Sequence, residues 1–323
     1  MKKNLYIAFG FVFFLHGCAQ EKKENMKKLE ERVTYIESQR KRFEYEPQYQ
    51  IKIETQFAYR IRLNDMPVNT YLGNWGGSVK LNLNTEILQS GIQNLNIEIY
   101  PEYSDINTQK EFLDPKGYFK LQITQTAWRK DGGGLEEPKT ILEYELPKED
   151  KQTGWTIDYA KLKSFTDSLS FEATVPYHLQ GWTNGEVFKE EDSLQLKAQV
   201  ISFYKNIGEA MKNKNMEFLN KEYLKADIEN AQAFYFSKEE IKNYLVDLEK
   251  SINAENFKVL PIEDCVLKYY GNHRVLSLEA LKGIDRGESS LITTYTKDGA
   301  ERSIYHSLLL YRPKGSSQFQ IIR

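Results

Sequence analysis

Residues able to bind a metal or attack a substrate are few in this chain, and they are scattered. His178 stands alone in VPYHLQGW, and the sequence contains no CxxC, HExxH or DxDxDG spacing of the kind that holds zinc or calcium. GESS around Ser289 and the glycines at 132–134 lack the context of a nucleophile elbow or a phosphate loop, so we interpret both as turns. Motifs alone therefore predict no metal site, no cofactor and no catalytic residue.

Cys18 has the most informative surroundings of the two cysteines. A positive start, Lys2 and Lys3, precedes an apolar stretch from Leu5 to Leu15. This stretch is shorter than the roughly 20 residues that a membrane-spanning helix needs, but it suits a secretion signal. LHGC, residues 15–18, resembles the bacterial lipobox, although His16 departs from the usual small residue. The resemblance implies cleavage before Cys18, attachment of diacylglycerol to its thiol and acylation of the new amino group.

The resemblance also implies a location. Each buried lipid CH₂ contributes about 0.8 kcal/mol, so several acyl chains hold a protein durably at a membrane. We expect a cell-envelope protein whose partner is a bacterial membrane, reached through the lipid at Cys18. The outer membrane is favoured, with the body periplasmic or exposed at the surface. The alternatives are an ordinary signal peptide with an incidental cysteine, or a buried N-terminal strand.

With Cys18 lipidated, Cys265 is the remaining cysteine and has no partner for an internal disulfide. Its strand-like neighbours, VLPIEDCVLKYY, favour a buried, inert thiol over a nucleophile. Removal of residues 1–17 takes Lys2 and Lys3 from 44 basic residues and leaves the 46 acidic ones, so the net charge changes from −2 to about −4. A nucleic-acid partner would require a clustered basic excess, so we expect none.

Residues 18–46, the segment after the predicted signal of 1–17, are dense in charge but carry a helical pattern. Met26, Leu29, Val33 and Ile36 recur at helical spacing. The apolar stripe covers about two or three heptads, which is short for a coiled coil. Such a helix would lie along the body or pair with a second copy. We favour a semi-rigid tether between lipid and body over a dimerising helix.

In residues 47–188 the period of the pattern changes to two. Alternating stretches rich in β-branched and aromatic residues are separated by turn signals such as LGNWGGS, QSG and LDPKG. They predict an N-terminal antiparallel β-sandwich, with one short helical turn in 154–168. The predicted strands are KIETQFAYRIRL, SVKLNLNTEIL, NLNIEIYPEY, YFKLQITQTAW, TILEYEL and SLSFEATVPYHL.

Residues 189–323 place helices before strands, which predicts an α+β domain with helices on one sheet face. MEFLNKEYLKADIENAQ predicts a second helix, and Ser237 and Glu240 have capping-box spacing ahead of a third. The strands are FKVLPIEDCVLKYY, HRVLSLEALKG, SSLITTYTKDG and ERSIYHSLLLYRPKGSSQFQIIR, with a hairpin at 297–299. The core side of the first helix is predicted to hold Leu194, Ala198, Ile201, Tyr204, Ile207 and Met211.

The order of elements in 193–323 resembles the NTF2-like superfamily, whose fold is a cone formed by a bent sheet wrapped on helices. AQVISFYKNIGEAMKNKNMEFLNKEYLKAD and the last strand, YRPKGSSQFQIIR, carry the resemblance, which rests on element order and not on a diagnostic motif. The predicted fold class is therefore an N-terminal antiparallel β-sandwich followed by an α+β cone-like domain. The superfamily includes isomerases, dehydratases and proteins that only bind, so the fold decides no function.

The resemblance also directs attention to pocket residues. An enzyme of this superfamily would need a general base, usually Asp or His, and a Tyr or another acid to stabilise an oxyanion. His306 lies in a strand pattern and could point into the cone, whereas His273 lies in the turn GNHR. No spacing links any two of the candidates, and the alternative for each is a satisfied or solvent-facing polar residue. The candidates are Tyr204, Asp227, Tyr235, His273 and His306.

All four tryptophans fall in the β-rich part of the chain, each near glycine: Trp75, Trp128, Trp155 and Trp182. Aromatic side chains at glycine-rich strand ends could form a surface that binds a sugar or a protein. The alternative is that they close the ends of the sandwich core.

Three functions from different classes remain. We favour a non-catalytic binding or interaction lipoprotein of the envelope, with a protein or polysaccharide partner. One alternative is an NTF2-like enzyme acting on a small molecule or a glycan fragment, which requires a deep cavity containing an acid and a base. The other is a protective protein that neutralises a toxin, which requires a rigid docking face.

Overall fold

The computed structural model of the chain describes residues 13–73, 76–129, 131 and 133–323. Most of the predicted signal, residues 1–12, and Trp75 lie outside the described residues. Within them the protein is a mixed α/β fold dominated by antiparallel sheets, with four α-helices. No helix in this part of the chain is both long and apolar enough to cross a membrane. The helices are α1 (Phe13–Gln39), α2 (Ser193–Lys212), α3 (Met216–Ala233) and α4 (Lys238–Ile252).

The first half of the chain forms two four-stranded antiparallel sheets that share one core. Their strand orders are β4-β1-β6-β7 and β3-β2-β5-β8. Alternate residues face inward, so Ile51 of the first sheet and Ile97 of the second are both at most 1% exposed. The strands are β1 (Pro47–Thr55), β2 (Ala58–Leu63), β3 (Met66–Tyr71), β4 (Gly77–Asn82), β5 (Gly91–Tyr100), β6 (Phe119–Ala127), β7 (Lys139–Glu145) and β8 (Phe165–Ala173).

Most local predictions for this half are confirmed, including the short helical turn, but two predictions about strands need correction. The helical turn predicted in 154–168 is a 3₁₀ turn at Tyr159–Lys161. KIETQFAYRIRL is not one strand, because the chain passes from the first sheet to the second between β1 and β2. The sequence patterns also miss β3, which follows a two-residue turn of Asn64 and Asp65. Both turn residues have the positive φ that this hairpin type requires.

The second half forms two further antiparallel sheets, in the orders β10-β11-β14-β15 and β13-β12-β9, after the three helices α2 to α4. A bridge between Glu279 and Ser289 links β11 to the segment that enters β12. The capping box of Ser237 and Glu240 at the start of α4 and the hairpin turn at Asp298 are confirmed. The strands are β9 (Glu255–Val259), β10 (Cys265–Tyr270), β11 (Val275–Ala280), β12 (Ile292–Lys297), β13 (Ala300–Tyr305), β14 (Leu310–Tyr311) and β15 (Gln320–Ile321).

Helix α2 buries a slightly different face from the predicted one. Tyr204, Ile207 and Met211 are fully buried against the second-half sheets, as expected. Leu194 is 86% exposed, whereas Leu196 is buried. The difference is one of helix face: Leu196 and Val200 precede Tyr204 at spacings of four and share its buried side, whereas Leu194 and Ala198 lie on an exposed side of α2.

A third apolar cluster joins the two halves of the chain. Met66 of β3 packs against Trp182, Tyr270 and Tyr311 of the region that follows. An ion pair between Arg60 Nη1 and Glu279 Oε2, 2.7 Å apart, spans the same junction and is mostly buried. The halves therefore share both apolar and charged contacts.

Helix α1 lies along the body from Leu29 onward. Val33 and Ile36 are at most 1% exposed and pack against Ile241 and Leu245 of α4 and the end of α3. The backbone N–H of Lys41 donates to the Gln232 side chain at 2.7 Å. This corrects the expectation that the whole of 18–46 is a tether, because burial of the apolar stripe on α3 and α4 holds the C-terminal part of α1 on the body.

Candidate functional site

A pocket of about 300 Å³ lies between α3, α4 and the end of β13. Its size is at the lower end of the range of small-molecule sites. A larger groove of about 910 Å³ adjoins it between α1 and the N-terminal half of α3, and half of the residues that line this groove are charged. The pocket is lined by Arg32, Asn220, Tyr223, Asp227, Tyr244, Leu245, Asp247, Leu248, Ser251, Ile304 and His306.

Helical periodicity explains how the pocket is assembled. Asn220, Tyr223 and Asp227 recur at spacings of three and four along α3, so they share one face of that helix. Tyr244 and Leu248 do the same on α4. Ile304 near the end of β13 and His306 directly after the strand close the far side, and α1 adds Arg32. Each of these elements contributes at least one side chain.

The polar centre of the pocket is an ion pair between Arg32 and Asp227. Asp227 is 3% exposed. Burial raises the pKa of the Asp227 carboxyl to about 6, although the Arg32 guanidinium and the Tyr244 hydroxyl lower it. The carboxylate is therefore still ionised at neutral pH and is neutralised by the guanidinium. The buried Nε of Arg32 has no hydrogen-bond partner in the described part of the chain.

His306 supplies a second titratable group to the pocket. Burial lowers the pKa of its imidazole to about 4, so the ring is uncharged at neutral pH. Its Nε2 lies 2.8 Å from Oγ1 of Thr293, a fully buried residue. A neutral imidazole has one N–H and one unprotonated nitrogen, so His306 can act as a hydrogen-bond donor or acceptor or can take a proton.

Two of the five candidates, Asp227 and His306, line this pocket, and the other three lie elsewhere. Tyr204 lies on the buried side of α2, where its hydroxyl donates to the Leu308 carbonyl at 2.7 Å and accepts from the Leu278 N–H at 3.0 Å. Burial raises the pKa of the Tyr204 hydroxyl to about 12. Its hydrogen-bonding capacity is used within the core, so it supports the fold and does not line the pocket.

Tyr235 follows the C-terminus of α3 with a φ of 56°, a conformation that favours glycine. Its ring packs on Tyr177 in the first-half core, with ring centroids 5.6 Å apart. Its hydroxyl is buried, and the described residues provide no hydrogen-bond partner for it. His273, the remaining candidate, lies in a turn with its side chain 45% exposed.

The tryptophans do not form a common surface in the described part of the chain. Trp182 is 4% exposed and belongs to the junction core, where Gly271 leaves room for its indole. This corrects its assignment to an exposed binding surface. Trp128 and Trp155 are 53% and 78% exposed. Trp128 follows the end of β6 at which β7 begins, whereas Trp155 lies beyond the other end of β7.

Sequence reasoning misses every pocket residue except Asp227 and His306, and three of the missed residues, Tyr223, Tyr244 and Arg32, surround Asp227. Tyr223 has a recognisable signal, since it precedes Asp227 by one helical turn. Tyr244 has only helical periodicity with its neighbours on α4, and Arg32 has no local signal at all. Among the residues that the structure describes, no group of three His, Cys, Asp or Glu side chains could hold a metal ion. Cys265 is a buried free thiol, as predicted.

Comparison of the chain with protein-family models, with curated proteins and with solved structures gave no match.

Proposed function

We propose that this protein is a lipid-anchored binding protein of the bacterial cell envelope and that its ligand occupies the pocket at Asp227 and His306. One observation carries the proposal: the helix that includes Cys18 also supplies Arg32 to the pocket wall. The lipobox-like LHGC supports the anchor, and the mostly apolar pocket with a few polar groups supports ligand binding.

We further propose that the first half is a β-sandwich and the second half an NTF2-like cone. The single core shared by the two first-half sheets supports the sandwich. The Glu279–Ser289 bridge between the second-half sheets, together with α2 against β9, β10 and β11, supports a bent sheet covered by helices. In such a cone the pocket lies at one end, between the sheet and the helices that cover it.

The pocket favours a small ligand over a large polysaccharide or protein surface. Trp182 is buried, and Trp128 and Trp155 lie at different ends of the β6–β7 pair, so they do not form a shared stacking platform. A pocket of about 300 Å³ instead accommodates a small molecule or one end of a larger one. The residues that line the pocket, and not the tryptophans, therefore determine which class of ligand binds.

An enzyme acting in the same pocket on a small molecule or a glycan fragment is the second candidate. It is favoured by the presence of two groups with opposite pKa shifts in one pocket: burial raises the pKa of Asp227 and lowers that of His306. In this role the neutral imidazole of His306 would be the general base. Replacement His306→Gln would then abolish turnover while ligand binding persisted, whereas a pure binding protein has no turnover to lose.

The anchor is tested by feeding cells labelled palmitate and comparing the wild type with Cys18→Ala. We expect label in the wild type and none in the variant. The control variant is Cys265→Ala, which removes the other cysteine and should keep the label. Absence of label from the wild type would refute the lipid anchor. Presence of the protein in the membrane fraction is not used as the readout, because an uncut signal could itself hold the variant at the membrane.

A further inference from the structure

We infer that the pocket selects an uncharged ligand with a short apolar body and a carbonyl head of the amide or ester class. The inference rests on the proposed function, because it names the ligand class of the same pocket. It depends on three features of the lining: its charge balance, its unpaired polar groups and its apolar walls.

The charges of the pocket cancel at neutral pH. Arg32 and Asp227 pair with each other, and their side chains are 12% and 4% exposed. Asp247, the other carboxylate, is 72% exposed and pairs with Lys250 at 3.1 Å, so it belongs to the rim. His306 is uncharged. An ionised ligand placed against the buried Arg32–Asp227 pair would lose its hydration there without gaining an opposite charge, which is costly.

Polar groups remain available to a ligand, and apart from the unpaired Nε of Arg32, whose guanidinium charge is balanced by Asp227, they are uncharged. Among the described residues, the structure shows no hydrogen bond to the Tyr223 hydroxyl or to the Asn220 side chain, and Nδ1 of His306 is also without a partner. The Tyr223 hydroxyl can donate to a carbonyl oxygen, whereas Asn220 and His306 can either donate or accept. An amide ligand can accept hydrogen bonds from the donors and donate its N–H to an acceptor, whereas an ester ligand can only accept from the donors.

The rest of the lining is apolar. Leu245, Leu248 and Ile304 contribute aliphatic surface, and Tyr223 and Tyr244 contribute ring faces. Ser251 does not add a free polar group, because its hydroxyl donates to the Leu248 carbonyl at 2.8 Å. A short hydrocarbon body would gain the usual free energy of burial against these walls.

The test uses the full-length protein, purified from membranes into lipid nanodiscs, and three probes with the same six-carbon body. Hexanamide is uncharged, hexanoate is an anion and hexylamine is a cation at neutral pH. Ligand-observed NMR measures the binding of each probe. In the Ile304→Trp variant the new indole fills the pocket, so the NMR signal that remains comes from probe in the bilayer. This signal is subtracted from that of the other proteins. Ile106→Trp adds the same ring at an exposed loop residue outside the pocket and is the matched control.

We expect hexanamide to bind about 10-fold more tightly than hexanoate or hexylamine, in the wild type and in Ile106→Trp alike. Tyr223→Phe should weaken hexanamide binding several-fold. If a charged probe binds as well as hexanamide at the Ile304-sensitive site, the inference is wrong but the proposed binding function stands. If no probe shows Ile304-sensitive binding, the pocket is not the ligand site and both proposals fail.

Discussion

Arg32 pairs with Asp227 across 195 residues of sequence, and the pair joins the helix that contains Cys18 to the wall of a pocket. Both side chains are mostly buried. The contact therefore helps to hold α1 on α3 and balances the charge of the pocket. Changes to either residue should be visible in stability and in ligand binding.

Loss of Arg32 should be strongly destabilising. Arg32→Met leaves the Asp227 carboxylate buried without its counter-charge, and we expect a loss of about 3–5 kcal/mol in the free energy of unfolding. The double variant Arg32→Met, Asp227→Leu should recover most of that loss, because an apolar pair replaces the ions. Urea denaturation measures both values. Lys27→Met, on the same helix but 77% exposed, is the control and should change little.

Two buried tyrosines should respond differently to loss of the hydroxyl. Tyr204→Phe leaves the Leu278 N–H and the Leu308 carbonyl without their partner, so we expect a loss of about 1–3 kcal/mol. Tyr235→Phe removes a hydroxyl that has no partner among the described residues, so stability should be unchanged or slightly higher. Thermal or urea unfolding of the two variants checks this contrast. Equal losses would show that Tyr235 makes a hydrogen bond in solution.

Glu86 should contribute a stability that falls as pH rises toward neutrality, whereas His306, whose pKa burial lowers to about 4, contributes a slope of the opposite sign. Burial raises the pKa of Glu86 to about 7, although the Thr85 hydroxyl and Arg323 lower it. Between about pH 4.5 and 7 the folded state therefore binds a proton that the unfolded state releases. Asp227 contributes a slope of the same sign between about pH 4 and 6.

Glu86→Gln should remove the Glu86 contribution to the slope, because it removes the titrating group while it keeps the volume. The free energy of unfolding is measured by urea titration at a series of pH values. Glu137→Gln, at an exposed position, should leave the slope unchanged. An unchanged slope in Glu86→Gln would contradict the burial of an ionisable carboxyl at this position.

Trp182 and Trp155 should differ in their contribution to stability. Trp182→Ala removes a side chain from the junction core, and we expect a loss of about 3–5 kcal/mol. Trp155→Ala removes an indole that is 78% exposed, so its effect should be within about 0.5 kcal/mol. Tryptophan fluorescence gives an independent measure: acrylamide should quench Trp155 readily and Trp182 poorly. Similar quenching of both would place Trp182 at the surface.

Local structure could be predicted from the sequence where it depends on neighbouring residues. The capping box of Ser237 and Glu240 and the hairpin at Asp298 are set by contacts within a few residues, and both were predicted. The turn of Asn64 and Asp65 uses the same left-handed backbone without glycine, and for this reason the turn signals in the sequence do not predict it. Propensity rules favour glycine at such positions but do not require it.

The site was less accessible to sequence reasoning than the elements that form it. Asp227 and His306 were selected by residue type, and their approach depends on how α3 packs on the second-half sheets. Arg32 lies in a segment whose charge density predicts solvent exposure, yet the ion pair with Asp227 buries it. Such pairing is decided by tertiary contacts, which no local pattern in a single sequence specifies.

The central claim is that an anchored protein binds a small ligand in the pocket at Asp227 and His306. The most direct test is mass spectrometry of small molecules released by denaturing the full-length protein after purification from membranes, with the wild type, Ile304→Trp and Ile106→Trp compared. The account predicts an uncharged molecule that is enriched with the wild type and Ile106→Trp and lost with Ile304→Trp. The same set of molecules from all three proteins would contradict it.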